Sequence, residues 1–184
     1  MEIIQTNIKE LIIIKPDLFV DKRGYLYESF NNLNYFKIGL TKNFVLEFFS
    51  KSKKNTVRGL HYQIGEFAQD KLITVIQGKI LDVAVDIRFG SPNFGKYFSV
   101  ELSDQNHFQF WIPAGFAHGF EALEDNTILQ YKCTNYYSKE NERGIIYNDS
   151  DIGINWRIKT PIISDKDLKN PLLKNIEKEF IFEK

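Results

Sequence analysis

The chain has 184 residues, with 24 Lys and Arg against 24 Asp and Glu and a formal net charge of +0, a length that fits one domain spanning residues 1–184. Balanced charge argues against a nucleic-acid partner, which needs a basic excess, and 43% hydrophobic with 15% aromatic residues excludes a disordered chain. No apolar run approaches the ~20 residues that span a bilayer, and a lone Cys133 can form neither an internal disulfide nor a cysteine-based zinc site.

The opening Met1–Gln5 lacks a basic stretch followed by an apolar one, so no signal peptide is expected and the location is expected to be cytoplasmic. Asn31 to Ile38 reads as a short helix capped by Asn31 or Asn32. From Thr56 to Gln63 a strand would put Gly59, His61 and Gln63 on one face and Leu60 and Tyr62 on the other. Lys71 precedes the apolar run Leu72–Ile76. Between Ile80 and Ile87 the alternation is regular, with Leu81, Val83, Val85 and Ile87 opposite Ile80, Asp82, Ala84 and Asp86. Tyr97 to Leu102 repeats it, with Phe98, Val100 and Leu102 on one side. Tyr131 shares a strand face with Leu129 and Cys133. Asn170, Pro171 and the stripe Leu172, Leu173, Ile176 and Phe180 predict a helix in the tail.

Turn signals separate the strands at Gln77-Gly78, Phe89–Asn93, Ser103–Asn106 and Glu124–Asn126. Short strands at such spacing indicate a mainly β protein, an antiparallel sandwich or barrel with a few short helices. The mouth between two facing sheets is where such a fold can hold a small ligand.

Histidine occurs only at positions 61, 107 and 118. An imidazole at His61 suits proton abstraction near neutral pH, or is a hydrogen-bonded histidine at a sheet edge. Lys71 either enters the mouth or stays a solvated strand-end charge. Tyr131 is equally a packed core tyrosine, and Asp167 by itself is a turn or cap residue.

The segment Pro113-Ala114-Gly115-Phe116-Ala117-His118-Gly119-Phe120 resembles the second signature of the cupin superfamily, a jelly-roll barrel. Metal-binding cupins carry His-x-His in the first signature, where this chain reads His61-Tyr62-Gln63. Two histidines are too few nitrogen ligands for a divalent site, so no metal is expected.

A longer set of motifs is similar to the dTDP-4-dehydrorhamnose 3,5-epimerase family, a metal-free branch of the cupins. It runs in order through Lys22–Phe30, Ser50–Ser52, Arg58–Gln63, Asp82–Arg88, Pro113–Phe120, Tyr131–Thr134 and Asn141–Gly144. The resemblance implies an isomerase that inverts carbons next to the 4-ketone of a nucleotide-linked 4-keto-6-deoxy sugar, for bacterial surface polysaccharide. It implies His61 as the base, Asp167 as its carboxylate partner, Lys71 as the cation beside the enolate oxygen and Tyr131 as the acid on the opposite face. Arg58 matches the pyrophosphate-binding position, and Arg23, Glu28, His118, Glu142 and Lys166 match further substrate contacts. The Arg23–Glu28 stretch is contributed across a homodimer in that family. No cofactor is implied, and the chain has no Gly-x-Gly-x-x-Gly.

One stretch departs from the pattern. Leu46 and Phe48 stand where the family usually carries polar side chains near the nucleotide and sugar. Losing two hydrogen-bonding groups from a pocket should change what it recognises. A GDP-linked 4-keto-heptose, inverted at C3 or at C3 and C5 for capsule heptose, is therefore an alternative substrate to the dTDP hexose. Two further classes are a metal-dependent cupin oxygenase, against which the missing histidine speaks, and a non-catalytic sugar-nucleotide-binding jelly roll.

Overall fold

The computed structural model describes residues 1–183. In chain order its elements are β1 (Glu2–Gln5), β2 (Ile12–Lys15), β3 (Phe19–Asp21), β4 (Gly24–Leu26), the helix α1 (Asn32–Lys37), β5 (Leu46–Ser52) and β6 (Val57–Gln63). There follow β7 (Lys71–Gln77), β8 (Lys79–Asp86), β9 (Tyr97–Ser103), β10 (Gln109–Ile112), β11 (Phe116–Ala122), β12 (Thr127–Cys133) and β13 (Glu142–Gly144). A six-stranded sheet has the order β1-β2-β10-β7-β12-β5, a five-stranded sheet the order β13-β6-β11-β8-β9, and β3 and β4 form a separate hairpin. Every strand pairing is antiparallel. This is the expected cupin-type jelly roll, built of two facing sheets with little helix.

Alternating side chains explain the layering. Ile73 and Val75 of β7, Phe110 and Ile112 of β10, and Leu129, Tyr131 and Cys133 of β12 point inward from the larger sheet. They meet Ile80 and Ala84 of β8, Leu102 of β9, and Phe116, Phe120 and Ala122 of β11. The opposite set on β8, Leu81, Val83 and Val85, is buried too, with Leu60, Tyr62 and Ala117, on the back of the smaller sheet. That two-sided burial is why β8 carries apolar residues at both phases of its alternation. The back of the larger sheet is closed by α1, through Tyr35 against Ile14, Leu72 and Trp111. Asn31 caps α1 as expected, its side-chain oxygen accepting from the backbone N–H groups of Leu33 at 3.1 Å and Asn34 at 3.3 Å.

The tail does not form the expected helix. Only a single 3-10 turn at Leu173–Asn175 interrupts extended chain, and Asn170 sits in extended backbone after an earlier turn rather than capping a helix. The backbone groups a helix would use are taken elsewhere. The Leu173 N–H donates to Asp149 at 2.6 Å, the Pro171 carbonyl accepts from Ile146 at 2.9 Å and the Phe180 carbonyl accepts from Phe89 at 2.8 Å. Leu173, Ile176 and Phe180 are spread over the back of the smaller sheet, and an extended strap covers more of that surface than a helix of equal length. Among the described residues no helix is long and apolar enough to cross a membrane.

Candidate active site

A cavity of about 820 Å³ opens between the two sheets and takes walls from both. His61 reaches it from β6, Lys71 from β7, Tyr131 from β12 and Asp167 from the turn after the last strand. Arg58, His118, Glu142 and Lys166 also line it, as do Leu46 and Phe48. The fold thus joins ten of the twelve positions singled out in the sequence.

His61 is delivered by an irregularity in β6. Its pairing with β11 matches His118 to His61 but Phe120 to Arg58, so two residues of β6 stand opposite one of β11. The two strands touch there through glycines. A Cβ on Gly59 would fall 2.6 Å from the Gly119 Cα, and one on Gly119 would fall 2.8 Å from the Arg58 carbonyl oxygen. The bulge aims the Gly59 N–H at Asp167 Oδ2, 3.3 Å away. His61 Nε2–H donates to the other carboxylate oxygen at 2.7 Å. That bond leaves Nδ1 as the ring nitrogen with a free lone pair. Burial works to raise the pKa of Asp167, but the His61 hydrogen bond and charge, the Gly59 N–H and Lys166 hold it below the usual carboxylate range. The side chain of His61 is 29% exposed and that of Asp167 only 5%, so the base faces the cavity and its partner lies behind it.

A second imidazole–carboxylate pair lies beside the first. His118 Nε2–H donates to Asp82 Oδ1 at 2.7 Å, and the buried Asp82 Oδ2 has no partner. Lys71 is half-buried, its ammonium donating weakly to the His61 carbonyl at 3.5 Å. Burial pushes its pKa down, while Cys133, Glu142 and Asp82 nearby oppose that shift. Burial of Tyr131 pushes its phenol well above the ordinary value, so it is held protonated. Its hydroxyl meets Ser50 Oγ at 3.1 Å, and its ring stacks on Phe48 with centroids 4.4 Å apart.

At the mouth, Arg58 Nε donates to Ser52 Oγ at 3.1 Å, and Lys51 and Lys53 stand beside it. Lys166 is ion-paired with Glu142, which also accepts from the Tyr137 hydroxyl at 2.9 Å. Among the described residues no group of three or more His, Cys, Asp or Glu side chains is placed to hold a metal ion.

Arg23 and Glu28 do not reach this cavity within the chain. Arg23 sits in the turn between β3 and β4, held by Asp21 with Nε at 3.1 Å. Glu28 accepts from Asn31 at 3.1 Å and lines a separate recess beside α1. The hairpin that carries Arg23 packs its Tyr25 ring 4.6 Å from that of His107 but leaves Val20 75% and Leu26 72% exposed. Ser50 and Tyr137 are cavity residues to which sequence reasoning gave no role. Ser50 carried a usable signal, since it follows Phe48 by two and so shares its strand face.

The family model of dTDP-4-dehydrorhamnose 3,5-epimerase matches residues 5–175. The chain is 48% identical to the dTDP-4-dehydrorhamnose 3,5-epimerase of Escherichia coli over 169 residues, 91% of each chain. Its structure superposes with a TM-score of 0.96 and 44% identity on a dTDP-6-deoxy-D-glucose-3,5-epimerase from Legionella pneumophila, crystallised with dTDP-4-keto-L-rhamnose, covering 100% of this chain and 99% of that one. A 3'-monoepimerase of Streptomyces bikiniensis, in complex with dTDP-quinovose, is similar at 28% identity and a TM-score of 0.87, over 92% and 87% of the two chains. The chain belongs to the dTDP-4-dehydrorhamnose 3,5-epimerase family.

Proposed function

We propose that this protein inverts C3 and C5 of a dTDP-linked 4-keto-6-deoxy sugar through enolate intermediates. The observation that carries the reading is the 2.7 Å bond between His61 and a buried Asp167 at the edge of a cavity that Tyr131 also enters. Asp167 fixes the imidazole with Nε2 protonated, so Nδ1 takes the proton from the carbon beside the ketone. The C–H electron pair moves into the enolate, whose oxygen gains negative charge. Lys71 is the cation for that oxygen, and the enolate supplies the counter-charge that its half-buried ammonium lacks. Tyr131 then gives its phenolic proton to the carbon from the other face. The proton taken up by His61 is released to solvent as solvent reprotonates the phenolate, which resets both groups. A ketone at C4 acidifies both neighbours, so one base and one acid serve two carbons.

Arg58, Lys51 and Lys53 line the cavity and supply cationic charge suited to a pyrophosphate, while Lys166 is ion-paired with Glu142 beside them. His118 and Glu142 are substrate contacts in this reading. Arg23 and Glu28 act in the cavity of a second copy, which makes the working unit a homodimer and gives the exposed β3–β4 hairpin a place to go. The dTDP sugar is favoured over a GDP-linked heptose because the relatives described above are named for dTDP substrates. A cytoplasmic location fits the free, buried Cys133.

The test is incubation in heavy water with dTDP-4-keto-6-deoxyglucose, followed by NMR. Deuterium is expected at C3 and C5 with the native chain, and His61→Ala is expected to abolish uptake at both. Uptake by the native chain only with a GDP-linked 4-keto-heptose would replace the substrate and leave the chemistry. Undiminished uptake by His61→Ala would remove the assigned base.

A further inference from the structure

The proton donor of a stereospecific inversion has to be held still. A phenol that swings away leaves the enolate to recover a proton from the side it was lost. Tyr131 has only two side-chain torsions, and three contacts restrain them. Phe48 lies flat on its ring, with centroids 4.4 Å apart and planes inclined by 11°. His118 meets it edge-on at 6.2 Å and 74°. Ser50 Oγ fixes the hydroxyl at 3.1 Å.

Two of the three restraints come from one strand. Phe48 pairs directly with Tyr131 in the β5–β12 register, and Ser50 is two residues on along the same face. Phe48 remains 42% exposed, so at this edge of the cavity the stack on Tyr131 is its principal packing. Removing the ring without replacing its contact would leave the outer face of the phenol open to rotation.

We propose that Phe48 is a positioning residue for the proton donor, a ring clamp that, with Ser50, holds Tyr131 on the face opposite His61 and so secures inversion. This rests on the reading of Tyr131 as the acid. When the clamp is released, the carbanionic carbon is reprotonated by the His61 imidazolium, whose N–H proton has first exchanged with solvent deuterium. A C–D bond then forms on the original face, and exchange occurs without inversion. The ratio of exchange with retention to exchange with inversion therefore reports the clamp, which neither substrate affinity nor overall stability does.

The experiment follows deuterium uptake from heavy water into dTDP-4-keto-6-deoxyglucose at early times, with NMR assigning the configuration at each labelled carbon. The native chain is expected to label with inversion. Phe48→Ala is expected to raise the retained share about three- to tenfold, the range that loss of one aromatic pair corresponds to. Phe48→Leu fills the space without a flat ring and should behave as the alanine variant does. Phe48→Tyr keeps the stack and should restore the native ratio. A native ratio in both the alanine and leucine variants, with only KM raised, would make Phe48 an ordinary pocket wall and overturn the clamp while leaving the epimerase intact. No uptake by the native chain would remove the epimerase reading and the clamp with it.

Discussion

Two histidines face each other across neighbouring strands, each with Nε2 on a carboxylate, yet they are not equivalent. The His61 side chain is 29% exposed, whereas His118 and Asp82 are both almost fully enclosed. The open pair has room for a reacting carbon and the closed pair is better suited to hold a substrate group in place. Their electrostatic neighbourhood also sets the pH behaviour. Burial lowers the pKa of Lys71, so its charge is complete below that lowered value and is lost as pH rises through it, earlier than for an ordinary lysine. Tyr131 is shifted the other way and stays protonated beyond its ordinary range. If Lys71 stabilises the enolate as proposed, kcat is therefore expected to fall on the alkaline side as Lys71 loses its charge. Lys71→Arg, whose cation does not titrate there, is expected to lower kcat at neutral pH and to move the alkaline limb upward in a pH–rate profile. A limb that stays where it was would assign it to another group. The dyads show how far residue types carry in a sequence. His61 was legible as a base candidate, but its strand alone favoured a structural histidine. Asp167, 106 positions away and opening a single 3-10 turn, was only a turn or cap residue until the motifs were taken together. Phe48 was legible as a departure in polarity, while its stack on Tyr131 depends on the β5–β12 register, which pattern alone does not supply.

At the scale of elements, local periodicity succeeds where each strand has a definite inside and outside. The two phases of β8 separate cleanly into two cores, and β9 follows with Phe98 and Val100 against one and Tyr97 against the other. The tail failed for a related reason. Leu172, Leu173, Ile176 and Phe180 have helical spacing, but what decides their conformation is the exposed back of a sheet and the partners at Asp149 and Phe89, none of which is local. The β6 bulge is likewise invisible to alternation, although the glycines that allow it are plain in the sequence. Because Gly59 and Gly119 meet backbone to backbone, Gly119→Ala is expected to force the strands apart. A loss of roughly 1–3 kcal/mol in urea unfolding is the scale for overpacking. The same displacement takes the Gly59 N–H away from Asp167 and should lower kcat beyond what the remaining folded fraction explains. Gly119→Ala with native stability would mean that the contact relaxes without cost.

The whole molecule poses the question of where Arg23 and Glu28 act, since the chain's own fold keeps both away from the cavity. The β3–β4 hairpin has every residue of both strands exposed, Phe19, Val20, Tyr25 and Leu26 among them. Side chains of that kind on a two-stranded ribbon are poorly accounted for unless another surface covers them. A homodimer that exchanges hairpins would cover them and complete each cavity with the other chain's Arg23. The arrangement is testable by mixing two crippled chains, His61→Ala and Arg23→Ala, after dissociation and reassembly. If Arg23 acts in the partner's cavity, each mixed dimer contains one site with both residues native and one with neither. Random pairing of equal amounts then makes half the dimers mixed, and about a quarter of native activity should return. If Arg23 acts within its own chain, no mixed dimer holds an intact site and the mixture shows only the sum of its parents. Size exclusion of the reassembled sample establishes that dimers formed, so a failure to regain activity counts against exchange and not against assembly.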